Sequence, residues 1–234
     1  MNRHRHRRAL LAAIGLTLLC PVGVGRVAAQ PPEDGPEEGA CSDDWDRVLR
    51  DEAEHEVVSV RCDVIGGRTI GLSVESFADE RPELVLRYAT SPNDVHTASL
   101  SALRRASGSA DLEWSDEVIL EARAIAGIDG AILVSVVTRF GEDYFVGDQT
   151  AIVLDVRSET PRIAWAGAGD RELSAMGICH AWRRIEVRGA RGTVRISSRV
   201  GRRVNREASD DRSLVRELAG QCRSPRRVGA RVRL

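Results

Sequence analysis

The sequence predicts a mainly β protein built on an antiparallel sheet, sandwich-like or barrel-like, with an α+β fold as the alternative. Two segments rich in Val and Ile, "GAILVSVVTRF" at 130–140 and "TAIVLDVR" at 150–157, are typical of strands. A third strand, "RIAWAG" at 162–167, follows a turn that contains Ser and Pro. Short strands separated by turn residues at this spacing favour an all-β architecture.

Residues 1–29 predict a secretory signal peptide. Arginines open the segment, an apolar run covers 9–19, and "VAA" precedes Gln30, so we expect cleavage near Ala29. The apolar run is too short for a bilayer, which needs about 20 residues, and we expect no transmembrane segment in the mature chain. Arg7-Arg8 leaves the twin-arginine route as an alternative to general secretion. Residues 30–40, "QPPEDGPEEGA", predict an acidic, Pro-rich disordered spacer.

Residues 41–234 predict a single disulfide-stabilised, β-rich domain. Its first element is a helix in "CSDDWDRVLRDEAEHE" (41–56), with Ser42 as the N-cap and an apolar stripe of Trp45, Val48 and Leu49. Strands are predicted at 57–63, 69–77 and 83–89, and the pattern at 116–126 favours a strand over a helix capped by Ser115. Residues 95–107 fit either a strand or a helix.

The segment "RRIEVRGARGTVRISSRV" (183–200) predicts a hairpin with its bend at 189–192. A period of two residues separates the side chains into two faces. The apolar face consists of Ile185, Val187, Val194 and Ile196. The basic face consists of Arg184, Arg188, Arg195 and Arg199, which are the candidate anion-binding residues.

A second short helix is predicted at 209–222, so that one helix lies near each end of the mature chain. Ser209 is its expected N-cap and Gly220 its expected stop. The last 12 residues, "RSPRRVGARVRL", fit either a closing edge strand or a basic tail in solvent.

Four cysteines remain after Cys20 is removed with the signal peptide: Cys41, Cys62, Cys179 and Cys222. An even number in an exported chain favours disulfides, and four cysteines allow three pairings. We predict Cys41–Cys62 and Cys179–Cys222, because each bond would join a predicted helix to a predicted strand.

The charge is unevenly distributed along the chain. All 34 basic residues are arginine, which indicates codon bias in a GC-rich, bacterial genome. Residues 30–178 carry a net charge of −17, whereas residues 179–234 carry +11. This asymmetry predicts either an oppositely charged partner or packing of the two halves against each other.

The sequence contains no recognisable catalytic motif, and we assign no catalytic residue. It has no G-x-S-x-G, no glycine-rich phosphate loop and no zinc-type cysteine spacing, so we expect no metal and no cofactor. Cys179 and His180 are adjacent, which places them on opposite faces of a strand and disfavours a Cys–His nucleophile. A Ca²⁺ loop at Glu142, Asp143 and Asp148 is less favoured than a solvated hairpin loop.

We therefore expect an exported, non-enzymatic protein, periplasmic or extracellular, with a binding or structural role. The expected partner is an anionic envelope surface (lipopolysaccharide, acidic polysaccharide or phospholipid) or an acidic protein. Nucleic acid is not expected, because Trp182 is the only aromatic residue in the basic region. The alternative is an extracytoplasmic hydrolase whose site combines His96 or His180 with an acid.

Overall fold

The computed structural model describes residues 41–77, 83–107, 117–141 and 144–234. The predicted signal peptide (1–29) and spacer (30–40) lie outside the described residues. Within the described ranges, no helix has the length and apolar character needed to cross a membrane.

Eleven strands form two antiparallel sheets in the part of the chain that the structure describes, which confirms the mainly β, antiparallel prediction. In both sheets each strand pairs with its neighbour in the chain. The first sheet contains β1 (Glu56–Ile65), β2 (Arg68–Phe77), β3 (Glu83–Ala89) and β4 (Val95–Ser99). The second contains β5 (Glu117–Ala124), β6 (Ala131–Phe140), β7 (Tyr144–Asp155), β8 (Arg162–Ala175), β9 (Cys179–Ala190), β10 (Thr193–Val204) and β11 (Gly229–Arg233).

The main hydrophobic core lies between the two sheets. Alternate residues of the second sheet, such as Leu120, Val134 and Ile152, pack against Leu72 and Leu86 of the first. All five are less than 5% exposed, as expected where two sheets pack face to face. Period-two alternation therefore explains which side of each strand is apolar.

Three short helices accompany the sheets in the described ranges: α1 (Asp43–Asp46), α2 (Leu100–Ala106) and α3 (Arg212–Gln221). Helix α1 continues as a π-helical turn over Arg47–Asp51, and its predicted apolar stripe is buried. The sequence left 95–107 open between a strand and a helix, and the structure divides this segment into β4 and α2. Ser99 caps it by accepting a hydrogen bond from the Ala102 amide at 3.0 Å, and Leu100 is fully buried.

Two details of the predicted C-terminal helix are wrong. The N-cap of α3 is Asp211, whose carboxylate accepts hydrogen bonds from the Ser213 and Leu214 amides, whereas Ser209 lies outside the helix. Gly220 lies inside α3 and does not end it. Within the last 12 residues, Gly229–Arg233 form the edge strand β11, as the first of the two alternatives predicted.

The second sheet divides between β8 and β9. These strands pair only over Arg171–Ala175 and Cys179–Arg183. Beyond that point β8 pairs with β7 alone, and β9 pairs with β10 alone. The separated β9–β11 segment packs back over β6–β8, where its apolar side chains meet Leu133, Val153 and Trp165 in a second core. We call the point of separation the fork.

A buried carboxylate fixes the turn that joins β7 to β8. Asp155, only 3% exposed, receives hydrogen bonds from Arg157 at 2.8 Å and from Arg162 at 2.8 Å. The bond from Arg157 is the largest cause that holds the pKa of Asp155 well below its ordinary value.

We expect the stability contribution of Asp155 to be lost in acid. Because its folded pKa lies below the unfolded value of about 4, the contribution is complete above that pH and is lost as the pH falls further. An Asp155→Asn variant should therefore be less stable than the wild type at pH 7, and the difference should shrink as the pH falls below about 4. Urea unfolding at several pH values measures it. Asp46→Asn, which alters an exposed pair with Arg50, should change little at any pH. A pH-independent Asp155 difference would contradict the assignment.

Candidate functional site: an arginine face and a pocket at the fork

The four arginines predicted to bind anions lie together on the outer surface of β9 and β10. Arg188 is directly opposite Arg195, and Arg184 is directly opposite Arg199. All four side chains are exposed. The alternate side chains of the same hairpin face the second core: Ile185, Val187, Val194 and Ile196. The hairpin and its two faces are therefore as predicted.

Strand β11 extends this basic surface by one row. Arg231 is directly opposite Arg195, which is itself opposite Arg188, so three guanidinium-bearing residues follow each other across three strands. Like charges in directly opposed positions of a sheet destabilise it. We name the set the arginine face: Arg184, Arg188, Arg195, Arg199 and Arg231.

One carboxylate lies within the arginine face. Glu186 makes ion pairs with Arg199 at 2.7 Å and with Arg188 at 3.2 Å. Among the described residues, no carboxylate lies within ion-pair distance of Arg195 or Arg231. The uncompensated positive charge is therefore concentrated on β10 and β11, at the edge of the sheet.

Arg184 is already neutralised within the protein. Its guanidinium donates to Glu172 at 2.7 Å. This hydrogen bond is the largest cause that lowers the pKa of Glu172, and a contact with His180 lowers it further. Because Glu172 precedes the basic region, the acidic and basic halves of the chain do pack together at this point. Arg184 is thus the least available of the four predicted residues.

His180 belongs to this ion-pair cluster. Its Nε2 lies 3.1 Å from Glu172 Oε1, and Ser174 is directly opposite His180 on β8. The predicted hydrolase alternative needs a Ser–His contact in a cleft. Within the described residues no hydrogen bond joins Ser174 to His180, and the imidazole is 43% exposed on the outer surface. The arrangement resembles a surface ion pair more than a nucleophile–base pair.

His96 lies far from this cluster, on β4 of the first sheet. Its Nε2 is 3.3 Å from Asp94 Oδ1, and its ring lies 5.5 Å from the ring of Tyr88. Burial raises the pKa of the Tyr88 hydroxyl, so this group stays neutral. The contacts of His96 are those of a histidine packed on a sheet.

Both predicted disulfides are present, with Cα–Cα distances of 5.0 Å for Cys41–Cys62 and 6.2 Å for Cys179–Cys222. Cys179 is 2% exposed and faces α3, whereas its neighbour His180 faces the opposite side of β9. The adjacent Cys and His therefore form no reactive pair.

Most of the segment predicted as a solvated hairpin loop, from Glu142 to Asp148, belongs to a strand, because β7 begins at Tyr144. Asp148, a candidate Ca²⁺ ligand, is buried and binds Arg104 at 2.7 Å, so it cannot belong to a solvated loop. Glu142 and Asp143 lie outside the described residues. In the described ranges, no group of three or more His, Cys, Asp or Glu could hold a metal ion.

The structure also forms a pocket of about 620 Å³ at the fork, which no sequence pattern indicated. Strand β8, helix α2 and the segment before β11 all contribute to it. Five arginines line it: Arg104, Arg171, Arg183, Arg226 and Arg227. They come from four separate segments of the chain, so no spacing rule brings them together. The one available signal is the pair Arg183-Arg184, in which strand alternation must turn one side chain inward.

No family model, no curated protein and no solved structure matches this chain. Fold and site geometry therefore carry the functional argument: the chain is an antiparallel two-sheet β protein with an exposed arginine face.

Proposed function

We propose that this is an exported bacterial protein without enzymatic activity that binds an anionic envelope surface through its arginine face. The observation that carries the proposal is the row Arg188–Arg195–Arg231, in which opposed guanidinium groups have too few carboxylates to neutralise them. Guanidinium groups pair with phosphate and carboxylate oxygens in a two-pronged geometry. A surface that carries many such oxygens could therefore form several ion pairs with the arginine face at once.

Export is supported by two features. The first 29 residues have the charge and hydropathy pattern of a secretory signal peptide. The domain also contains two disulfides, which persist in oxidising compartments such as the periplasm or the extracellular space.

The arginine face is suited to electrostatic adsorption onto an anionic surface more than to insertion into a bilayer. It consists of long charged side chains on a rigid sheet, with Trp182 at one end packed over Gly201. Each arginine near an anionic bilayer contributes about 1 kcal/mol to binding. A flat array of this kind recognises charge density and not one particular headgroup.

The test is binding of the mature protein to vesicles of phosphatidylglycerol and phosphatidylcholine. The triple variant Arg188→Gln, Arg195→Gln, Arg231→Gln should bind anionic vesicles on the order of 100-fold more weakly, from about 1 kcal/mol per arginine. The matched control is Arg206→Gln, Arg212→Gln, Arg216→Gln, which removes the same charge from exposed arginines in and before α3. Equal losses in both triple variants would contradict the role of the arginine face.

A further inference from the structure

The pocket at the fork has the properties of a binding site that is separate from the arginine face. It lies where β8 and β9 separate, so the backbone leaves space there that side chains would otherwise fill. Its volume of about 620 Å³ falls within the range of small-molecule sites. No residue of the arginine face lines it.

The pocket has a strongly positive lining. Of its 12 described lining residues, five are arginine and none is acidic. Arg171, Arg226 and Arg227 have no carboxylate within ion-pair distance among the described residues. Within the part of the chain that the structure describes, these three lining arginines therefore have no neighbouring carboxylate to neutralise them.

A row of charged residues across three strands accounts for the positive charge of the pocket. Asp148, Arg171 and Arg183 are direct neighbours across β7, β8 and β9 and face the same side. Asp148 is the single carboxylate of the row, and it is committed to Arg104 at 2.7 Å while Arg183 is 3.9 Å away. Arg171 and Arg183 are therefore opposed like charges, which an added anion would stabilise.

Arg183 is held in a fixed position. Its Nε donates to the Gly169 carbonyl at 2.5 Å, and its Nη1 donates to the Arg226 carbonyl at 3.2 Å. Burial, together with the nearby charges of Arg171 and Arg104, lowers the pKa of Arg183. An arginine that is already ordered loses little conformational entropy when it binds a ligand.

One wall of the pocket is aromatic. Trp165, half-buried, lies against Gly167, where any side chain would collide with the indole ring. Both residues line the pocket beside the arginines. The site thus offers cations for an oxyanion and a flat apolar surface for a ring, the usual combination in a small-ligand pocket.

We propose that the pocket at the fork binds a small, ring-containing ligand through a phosphate or carboxylate group. The oxyanion lies between Arg171, Arg183 and Arg227, and the ring lies against Trp165. The inference does not depend on the proposed surface function, because the two sets of residues do not overlap.

Isothermal titration calorimetry on the mature protein tests this inference, with inorganic phosphate, glucose 6-phosphate, glucuronate and glucose as probes. We expect glucose 6-phosphate or glucuronate to bind, glucose to fail, and inorganic phosphate to bind more weakly than glucose 6-phosphate because it lacks the ring. The stronger of the two sugar anions identifies phosphate or carboxylate as the preferred group. If neither glucose 6-phosphate nor glucuronate binds at millimolar concentration, the proposal is overturned.

Two variants of lining arginines test whether the sugar anion binds in this pocket. Arg171→Gln and Arg227→Gln should each weaken the sugar anion at least about tenfold, which corresponds to about 1.4 kcal/mol for one charge-assisted contact. Arg216→Gln, an exposed position on α3 that does not line this pocket, is the control and should bind as the wild type does. Thermal unfolding confirms that each variant is folded. Equal weakening in the control would show non-specific attraction and contradict the site.

Discussion

Replacing Arg104 with methionine should lower the free energy of unfolding by about 3–5 kcal/mol, because it removes the closer of the two cations that pair with the buried Asp148 carboxylate. Arg104 is 1% exposed, and its guanidinium lies 2.7 Å from Asp148 Oδ2. The link joins α2 to β7, two elements that are distant in sequence. Equilibrium unfolding in urea measures the loss.

Two further variants make this prediction specific. Arg105→Met changes the next residue of α2, which is exposed, and should cost no more than about 1 kcal/mol. Adding Asp148→Leu to Arg104→Met should cost less than the sum of the two single losses, because the Arg104–Asp148 pair is already broken in either single variant. A loss for Arg104→Met as small as that for Arg105→Met would contradict the buried ion pair.

Removing the Cys179–Cys222 disulfide, by substituting alanine at both positions, should cost about 4 kcal/mol. The bond closes a loop of 43 residues, and the chain-entropy relation gives that value at this length. Both sulfurs are buried beside Leu218, so α3 should also detach from β9 more readily. Guanidinium unfolding measures the stability, and limited proteolysis within 206–222 measures the detachment.

The other disulfide provides the comparison. Cys41–Cys62 spans 21 residues, and its removal should cost about 3 kcal/mol, slightly less than the longer loop. Proteolysis at 206–222 should not increase in that variant, since α1 and α3 pack on different parts of the domain. Wild-type stability in the Cys179→Ala, Cys222→Ala variant would contradict the prediction.

Much of the fold could be predicted because local alternation determines it. The hairpin of β9 and β10 is the clearest case, since strict period two assigns Ile185 and Val187 to the core and Arg184 and Arg188 to the surface. Helix α2 could not be predicted, because seven residues supply too little periodicity and its stability comes from Leu100 packing on the sheet.

Local alternation predicts most of the arginine face, whereas it does not predict the pocket. The face lies on neighbouring strands of a hairpin, so the sequence pattern alone brings four of its five residues together. Arg231 joins them only through the pairing of β11, which the sequence left open. The pocket collects Arg104, Arg171 and Arg183 from separate segments at the fork, and that division of the sheet depends on tertiary packing.

The salt dependence of vesicle binding is the decisive measurement for the role of the arginine face. If the arginine face binds an anionic surface, the affinity of the mature protein for phosphatidylglycerol vesicles should fall steeply between about 50 and 500 mM salt, as the Debye length shortens. The triple variant Arg188→Gln, Arg195→Gln, Arg231→Gln should bind weakly at every salt concentration. Wild-type binding that does not change with salt, or that the triple variant retains in full, would contradict the account.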